Sequence, residues 1–145
     1  MKKIRWQMVM EEGPKGEPLK TAEDAARHLR EAGHADRDRE AFVVLLLDVK
    51  HRIIAEEVLT VGILNGSLVH PREVFKAAVA GSAAAIILAH NHPSGDVQPS
   101  GQDFEVTRRL RDAGKLLGIP VVDHVIVGAG TADVYSFREK GGDWT

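Results

Sequence analysis

Ala83-Ala84-Ala85-Ile86-Ile87-Leu88-Ala89-His90-Asn91-His92-Pro93-Ser94-Gly95-Asp96-Val97-Gln98-Pro99-Ser100-Gly101-Gln102-Asp103 passes from strand to turn to helix. The run 83–89 is apolar at every position, as in a strand covered on both faces, and the spacing ends it at His90. Residues 93–101 are rich in proline and glycine and read as a turn. A helix is expected over about 101–117, with Val106, Leu110, Ala113 and Leu117 inward and Arg108, Arg109, Arg111 and Lys115 largely outward. Gly118 and Pro120 stop it.

Upstream, Pro71 at an early helical position opens a helix whose apolar face is Val74, Phe75, Ala78 and Val79, closed by Gly81 and Ser82. Before that, Ala41-Phe42-Val43-Val44-Leu45-Leu46-Leu47 is too uniformly apolar for an edge strand. A turn at Asp48-Val49-Lys50-His51 leads to an antiparallel return strand from about Ile53 to Val61. Thr21 caps a helix to about Ala32, with Ala22, Ala25, Ala26 and Leu29 on one face and Gly33 as the stop. Ile4, Trp6, Met8 and Met10 alternate with polar residues, predicting a half-buried strand over 3–10. Further strands are expected near Val121–Val127 and Val134–Phe137.

This order describes one α/β domain, a mixed, mainly antiparallel sheet flanked by helices. Residues 1–39 are an N-terminal strand and helix packed on the core, 40–138 the core itself, and 139–145 a C-terminal tail. At 145 residues the chain can bury a core without metal or disulfide staples. It has no cysteine, so thiolate nucleophiles and cysteine-based zinc sites are excluded. The charged share is 28% with a formal net charge of -2, which offers no electrostatic support for DNA binding. No apolar stretch approaches the roughly 20 residues that span a bilayer. The polar start lacks the apolar run of a secretory signal, and we expect a soluble cytoplasmic protein.

His90 and His92 point the same way if the backbone is extended, because strand side chains alternate faces. Asp103, in the first turn of the next helix, is placed for return to them by the turn containing Gly95, Pro99 and Gly101. Three protein ligands leave one tetrahedral position for water, the open arrangement of catalytic rather than structural zinc. Such an ion lowers the pKa of water toward about 7 and polarises a carbonyl. Each piece has a plainer reading: Ser100-Gly101-Gln102-Asp103 has the form of a helix capping box. Histidines ahead of a proline can simply hydrogen-bond in a turn. The joint pattern is a much stronger metal signal than either piece alone.

That joint pattern, His-x-His-Pro, six residues, Ser, two residues, Asp, resembles the JAMM metallopeptidase motif of JAB/MPN domains at all of its fixed positions. His90-Asn91-His92-Pro93-Ser94-Gly95-Asp96, Val69-His70-Pro71-Arg72-Glu73-Val74-Phe75 and Val122-Asp123-His124-Val125-Ile126 are similar to the RadC branch in particular. The resemblance covers roughly residues 40–138 and implies a cytidine-deaminase-like architecture. It makes His90, His92 and Asp103 ligands of one Zn2+ per chain, with Ser100 hydrogen-bonding the activated water or the oxyanion. It also implies a general-base glutamate at the start of an early strand, which we assign to Glu40, ahead of Glu73, Glu56 and Glu57.

The expected activity is hydrolysis of peptide or isopeptide bonds by metal-activated water, on a peptide or protein substrate that the sequence does not specify. The alternative is a noncatalytic, metal-containing interaction module in DNA repair, with weak or indirect DNA binding. RadC relatives commonly carry a helix-hairpin-helix region ahead of this domain, and the residues before Glu40 do not match its pattern. Hydrolysis of a small-molecule amide is a third reading. Asp96 is expected to shape the turn and Asn91 to face away from the histidines. His124 is either a partner behind the metal or a plain strand residue. His28, His34, His51 and His70 are expected to be surface or turn residues. Oligomeric state is left open.

Overall fold

The computed structural model describes residues 1–3, 16–62 and 69–144. The strand predicted from Ile4, Trp6, Met8 and Met10 lies outside them. The described elements are α1 (Ala22–Glu31), β1 (Ala41–Leu47), β2 (Ile53–Val61), α2 (Pro71–Ala80), β3 (Ala85–His92), α3 (Gly101–Leu117), β4 (Val121–Gly128), β5 (Val134–Ser136) and α4 (Phe137–Lys140). Local chemistry sets their ends. Thr21 and Asp24 form a reciprocal capping box at α1, Ser100 and Asp103 another at α3, and His70 caps α2 through Nδ1. Gly118, with φ of 73°, closes α3 in the left-handed region that glycine enters without steric cost.

The strands form one sheet in the order β2-β1-β3-β4-β5. β1 pairs antiparallel with β2 and with β3, β4 pairs antiparallel with β5, and β3 and β4 are parallel. The sheet is therefore mixed and mainly antiparallel, as expected. Its one parallel step is bridged by α3, since parallel neighbours need a crossover.

Every residue of β1 is buried because its two faces feed two cores. Val43, Leu45 and Leu47 pack with Ala22, Ala25, Ala26 and Leu29 of α1, while Phe42, Val44 and Leu46 pack with α2 and with Val106 and Leu110 of α3. Ile87 and Ala89 of β3 join the α1 side, and Ile86 and Leu88 the α2–α3 side. Burying one such large aliphatic side chain contributes about 1.5–3 kcal/mol, so a register slip of one residue would be costly on both faces. Alternation then places His90 and His92 on the α3 side of the sheet and Asn91 on the other.

Some boundaries and faces differ from expectation. β3 runs on to His92 instead of ending at His90, because Asn91 and His92 pair with Val127 and Gly128 of β4. Phe137 leaves the strand and starts α4, capped by Ser136. Val79 is exposed, being one position and about 100° beyond Ala78 on the helix. Leu117 is exposed in the last turn of α3, past the final buried position, Gly114. His34 is buried rather than superficial, and with His28 it engages Glu56 across α1 and β2. Trp144 packs beside the core, with the Arg111 guanidinium 3.8 Å over its ring. Among the described residues no helix is long and apolar enough to cross a membrane.

Candidate metal centre

β3 delivers His90 and His92, and the first turn of α3 delivers Asp103. His90 Nε2 and His92 Nε2 are 3.1 Å apart, His90 Nε2 is 3.4 Å from Asp103 Oδ1, and His92 Nε2 is 3.7 Å from Asp103 Oδ2. A tetrahedral ion with bonds of ~2.0–2.1 Å requires ligand edges of about 3.3–3.4 Å. The His90–His92 and His90–Oδ1 separations lie close to that value, the other carboxylate oxygen faces His92 slightly farther off, and two imidazole nitrogens held this close invite a cation between them. Among the described residues this is the one cluster of three such side chains whose donor atoms converge within 4.8 Å.

The inner ring nitrogens are held by the protein. His92 Nδ1 donates to the Asp96 carbonyl at 2.7 Å, giving the turn residue a direct part in aiming the ligand. His90 Nδ1 is 2.8 Å from Nε2 of the fully buried His124, so His124 is a partner behind the site rather than a plain strand residue. His124 Nδ1 in turn meets Thr107 Oγ1 at 2.6 Å. Asp103 has two tasks at once. Its Oδ2 accepts the Ser100 N–H at 2.7 Å in the capping box while the same carboxylate faces both histidines. Capping and ligand geometry are thus compatible.

Burial pushes the Asp103 pKa up, but the adjoining His90 and His92 rings and the Ser100 N–H outweigh it and hold the carboxyl far below the ordinary range. The Asp103 hydrogen bond pushes His92 up against its own partial burial. Burial, with the neighbouring His90, drives His124 well below the usual histidine range.

Glu40 precedes β1, and its Oε1 lies 4.0 Å from His92 Nε2. The β1–β3 register explains this placement. Phe42 pairs with His90, so two further steps along each antiparallel strand set Glu40 beside His92 on the same face. Glu56 is occupied with His28 and His34, Glu57 lies within β2, and Glu73 is in the first turn of α2 beside Arg72. Ser100 Oγ accepts the Asp103 N–H at 3.2 Å, which leaves its hydroxyl proton available to donate. A cleft of about 600 Å³ lined by Asp38, Arg39, Glu40, Gly62 and Pro93 opens alongside.

Two contributors were missed in the sequence. Asn91 faces away from the histidines as expected, yet its amide accepts from the Ala41 N–H and donates to the Arg39 carbonyl, gripping the backbone on both sides of Glu40. Nothing local to Asn91 announces that, since the partners come from β1. Thr107 did carry a signal, because it stands four residues after Asp103 and so shares its helix face.

Residues 19–142 match the family described as RadC-like JAB domain. The chain belongs to that family. It is 58% identical over 103 residues to a UPF0758 protein of Caldanaerobacter subterraneus subsp. tengcongensis, covering 71% of this chain and 43% of the relative. A UPF0758 protein of Rubrobacter xylanophilus is 55% identical over 107 residues, 74% of this chain and 46% of its own length. One from Geobacter sulfurreducens is 59% identical over 95 residues, 66% of this chain and 42% of its own. The matched part spans under half the length of these curated relatives. A RadC-like JAB domain with a candidate His-His-Asp metal group is what the chain contains.

Proposed function

We propose that this domain is a zinc-dependent hydrolase of peptide or isopeptide bonds. The observation that carries the reading is the placement of a carboxylate that is not among the three converging ligands, Glu40, 4.0 Å from His92 and at the edge of the cleft. A binding site alone has no use for it. His90, His92 and Asp103 would hold the ion, whose two-nitrogen, one-oxygen donor set suits zinc. When bound, Zn2+ supplies Lewis acidity, polarising a carbonyl and acidifying water near neutral pH.

The remaining work belongs to the chain's own side chains. The Glu40 carboxylate takes the proton of the attacking water and passes it to the leaving amine, the two halves of general acid–base catalysis. The Ser100 hydroxyl donates to the oxygen on which negative charge develops. The Asn91 amide keeps Glu40 in place, and the cleft beside Glu40 receives the segment of substrate that carries the scissile bond.

The test is metal analysis of purified protein followed by cleavage of a broad peptide library and an isopeptide-linked conjugate. About one zinc per chain is expected, with cleavage abolished and metal retained in Glu40→Gln. Protein that cannot be loaded with zinc, or a Glu40→Gln variant as active as wild type, would overturn the reading.

A further inference from the structure

Behind His90 lies a line of three short contacts whose protons can be counted. Thr107 Oγ1 is 2.6 Å from the Asp103 carbonyl oxygen, which can only accept, so the single hydroxyl proton is committed there. Thr107 Oγ1 is also 2.6 Å from His124 Nδ1, and with its proton already used it must accept, so the proton lies on His124 Nδ1. Neither nitrogen of the fully buried His124 meets an anion, and a buried imidazolium without an anionic partner is costly, so the ring is neutral. His124 Nε2 is then an acceptor, and the 2.8 Å contact is a bond donated by His90 Nδ1–H.

We infer that Thr107 and His124 are positioning residues that hold His90 with its proton on Nδ1 and its Nε2 lone pair turned toward Asp103 and His92. The inference rests on the reading of His90 as a ligand. It identifies what makes the ligand competent: the opposite tautomer would aim an N–H where the ion needs a lone pair. The relay also links the two protein segments that build the site, because the carbonyl that fixes the Thr107 proton is that of Asp103 itself. Stacked rings hold the planes. Phe42 lies parallel to His90 within 13° at 6.2 Å, and Phe137 lies parallel to His124 within 17° at 4.7 Å.

The experiment combines histidine 15N NMR with zinc titration of the whole chain. In wild type, metal-free and zinc-loaded, His124 is expected to carry its proton on Nδ1 and none on Nε2. Thr107→Val keeps the shape but removes the hydroxyl. It should release His124 into a mixture of tautomers and weaken zinc binding by about 10–100-fold, as loss of an outer partner of a metal histidine typically does. Thr107→Ser should restore both. His124→Phe should weaken zinc similarly, and if it fails to fold, the Thr107 pair and the wild-type spectrum still decide. A role in packing alone would lower stability in Thr107→Val without moving the tautomer. His124 protonated on Nε2 in wild type, or unchanged zinc affinity in Thr107→Val, overturns the relay. Wild-type protein that binds no zinc overturns the metal reading instead, while the tautomer of His124 is still read from the metal-free spectrum.

Discussion

The side-chain oxygen of Asn91 accepts the backbone N–H of Ala41 at 2.7 Å, and both residues are buried. The same amide donates to the Arg39 carbonyl at 3.0 Å, so one side chain on β3 brackets Glu40 at the entrance to the neighbouring strand. Asn91→Ala leaves the Ala41 N–H buried without a partner, a loss of about 1–3 kcal/mol. Urea denaturation should show it. Turnover of the best peptide should fall while zinc affinity stays close to wild type, because the ligands stand on the opposite face of β3. Equal loss of both would assign Asn91 to the metal rather than to Glu40.

Ser100 caps α3, and the proposed mechanism gives it a second role that substitution can separate from the first. Ser100→Ala should lose the cap of α3, about 1 kcal/mol, whereas Ser100→Gly should lose only a few tenths. Neither restores a donor to the developing oxyanion, so kcat should fall by about 10²–10³ in both. Matching kcat losses with unmatched melting temperatures would bear this out. A Ser100→Gly enzyme with wild-type kcat would confine Ser100 to capping.

Zinc should stabilise the fold by mass action. At free zinc near 100 times its Kd the gain is about 2.7 kcal/mol. It should vanish in Asp103→Ala, which removes the third ligand and half of the capping box. Chelator should lower the melting temperature without unfolding the chain at room temperature, since both cores lie on the sheet and not on the ion. Unfolding by chelator alone would make the metal structural.

Acid should loosen the α1–β2 contact through Glu56. Burial raises its pKa, but hydrogen bonds from His28 and His34 outweigh that and lower it below the ordinary 4.5. A depressed folded pKa contributes stability that is fully present above the unfolded value and is lost as pH falls through the folded one. Glu56→Gln should therefore flatten part of the decline in melting temperature below pH 4.5. The effect should be small, because the side chain is 35% exposed and water screens it. Identical acid slopes in the two proteins would discount the pairing.

Much of this molecule was legible in one dimension because the signals are local. Uniform apolarity marked β1 as central, and the capping residues Thr21 and Ser100 marked where α1 and α3 begin. The spacing His90-Asn91-His92 put two imidazoles on one side of β3 by the pleat alone. Where local signals misled, tertiary pairing intervened. β3 continues through His92 because β4 runs beside it, and Val79 and Leu117 remain exposed because no described element packs over them.

By itself the sequence determined most of the order of elements, the alternation of faces and the placing of His90 and His92 on one side of β3, all properties of neighbouring residues. Only the tertiary structure decided that Glu40 stands next to His92, that Asn91 holds it there, and that His124 and Thr107 stand behind His90. Those relations depend on strand order, on the register of Phe42 against His90, and on α3 crossing back over the sheet. Register is set by the burial of two whole faces at once, a collective quantity that no single stretch of residues carries.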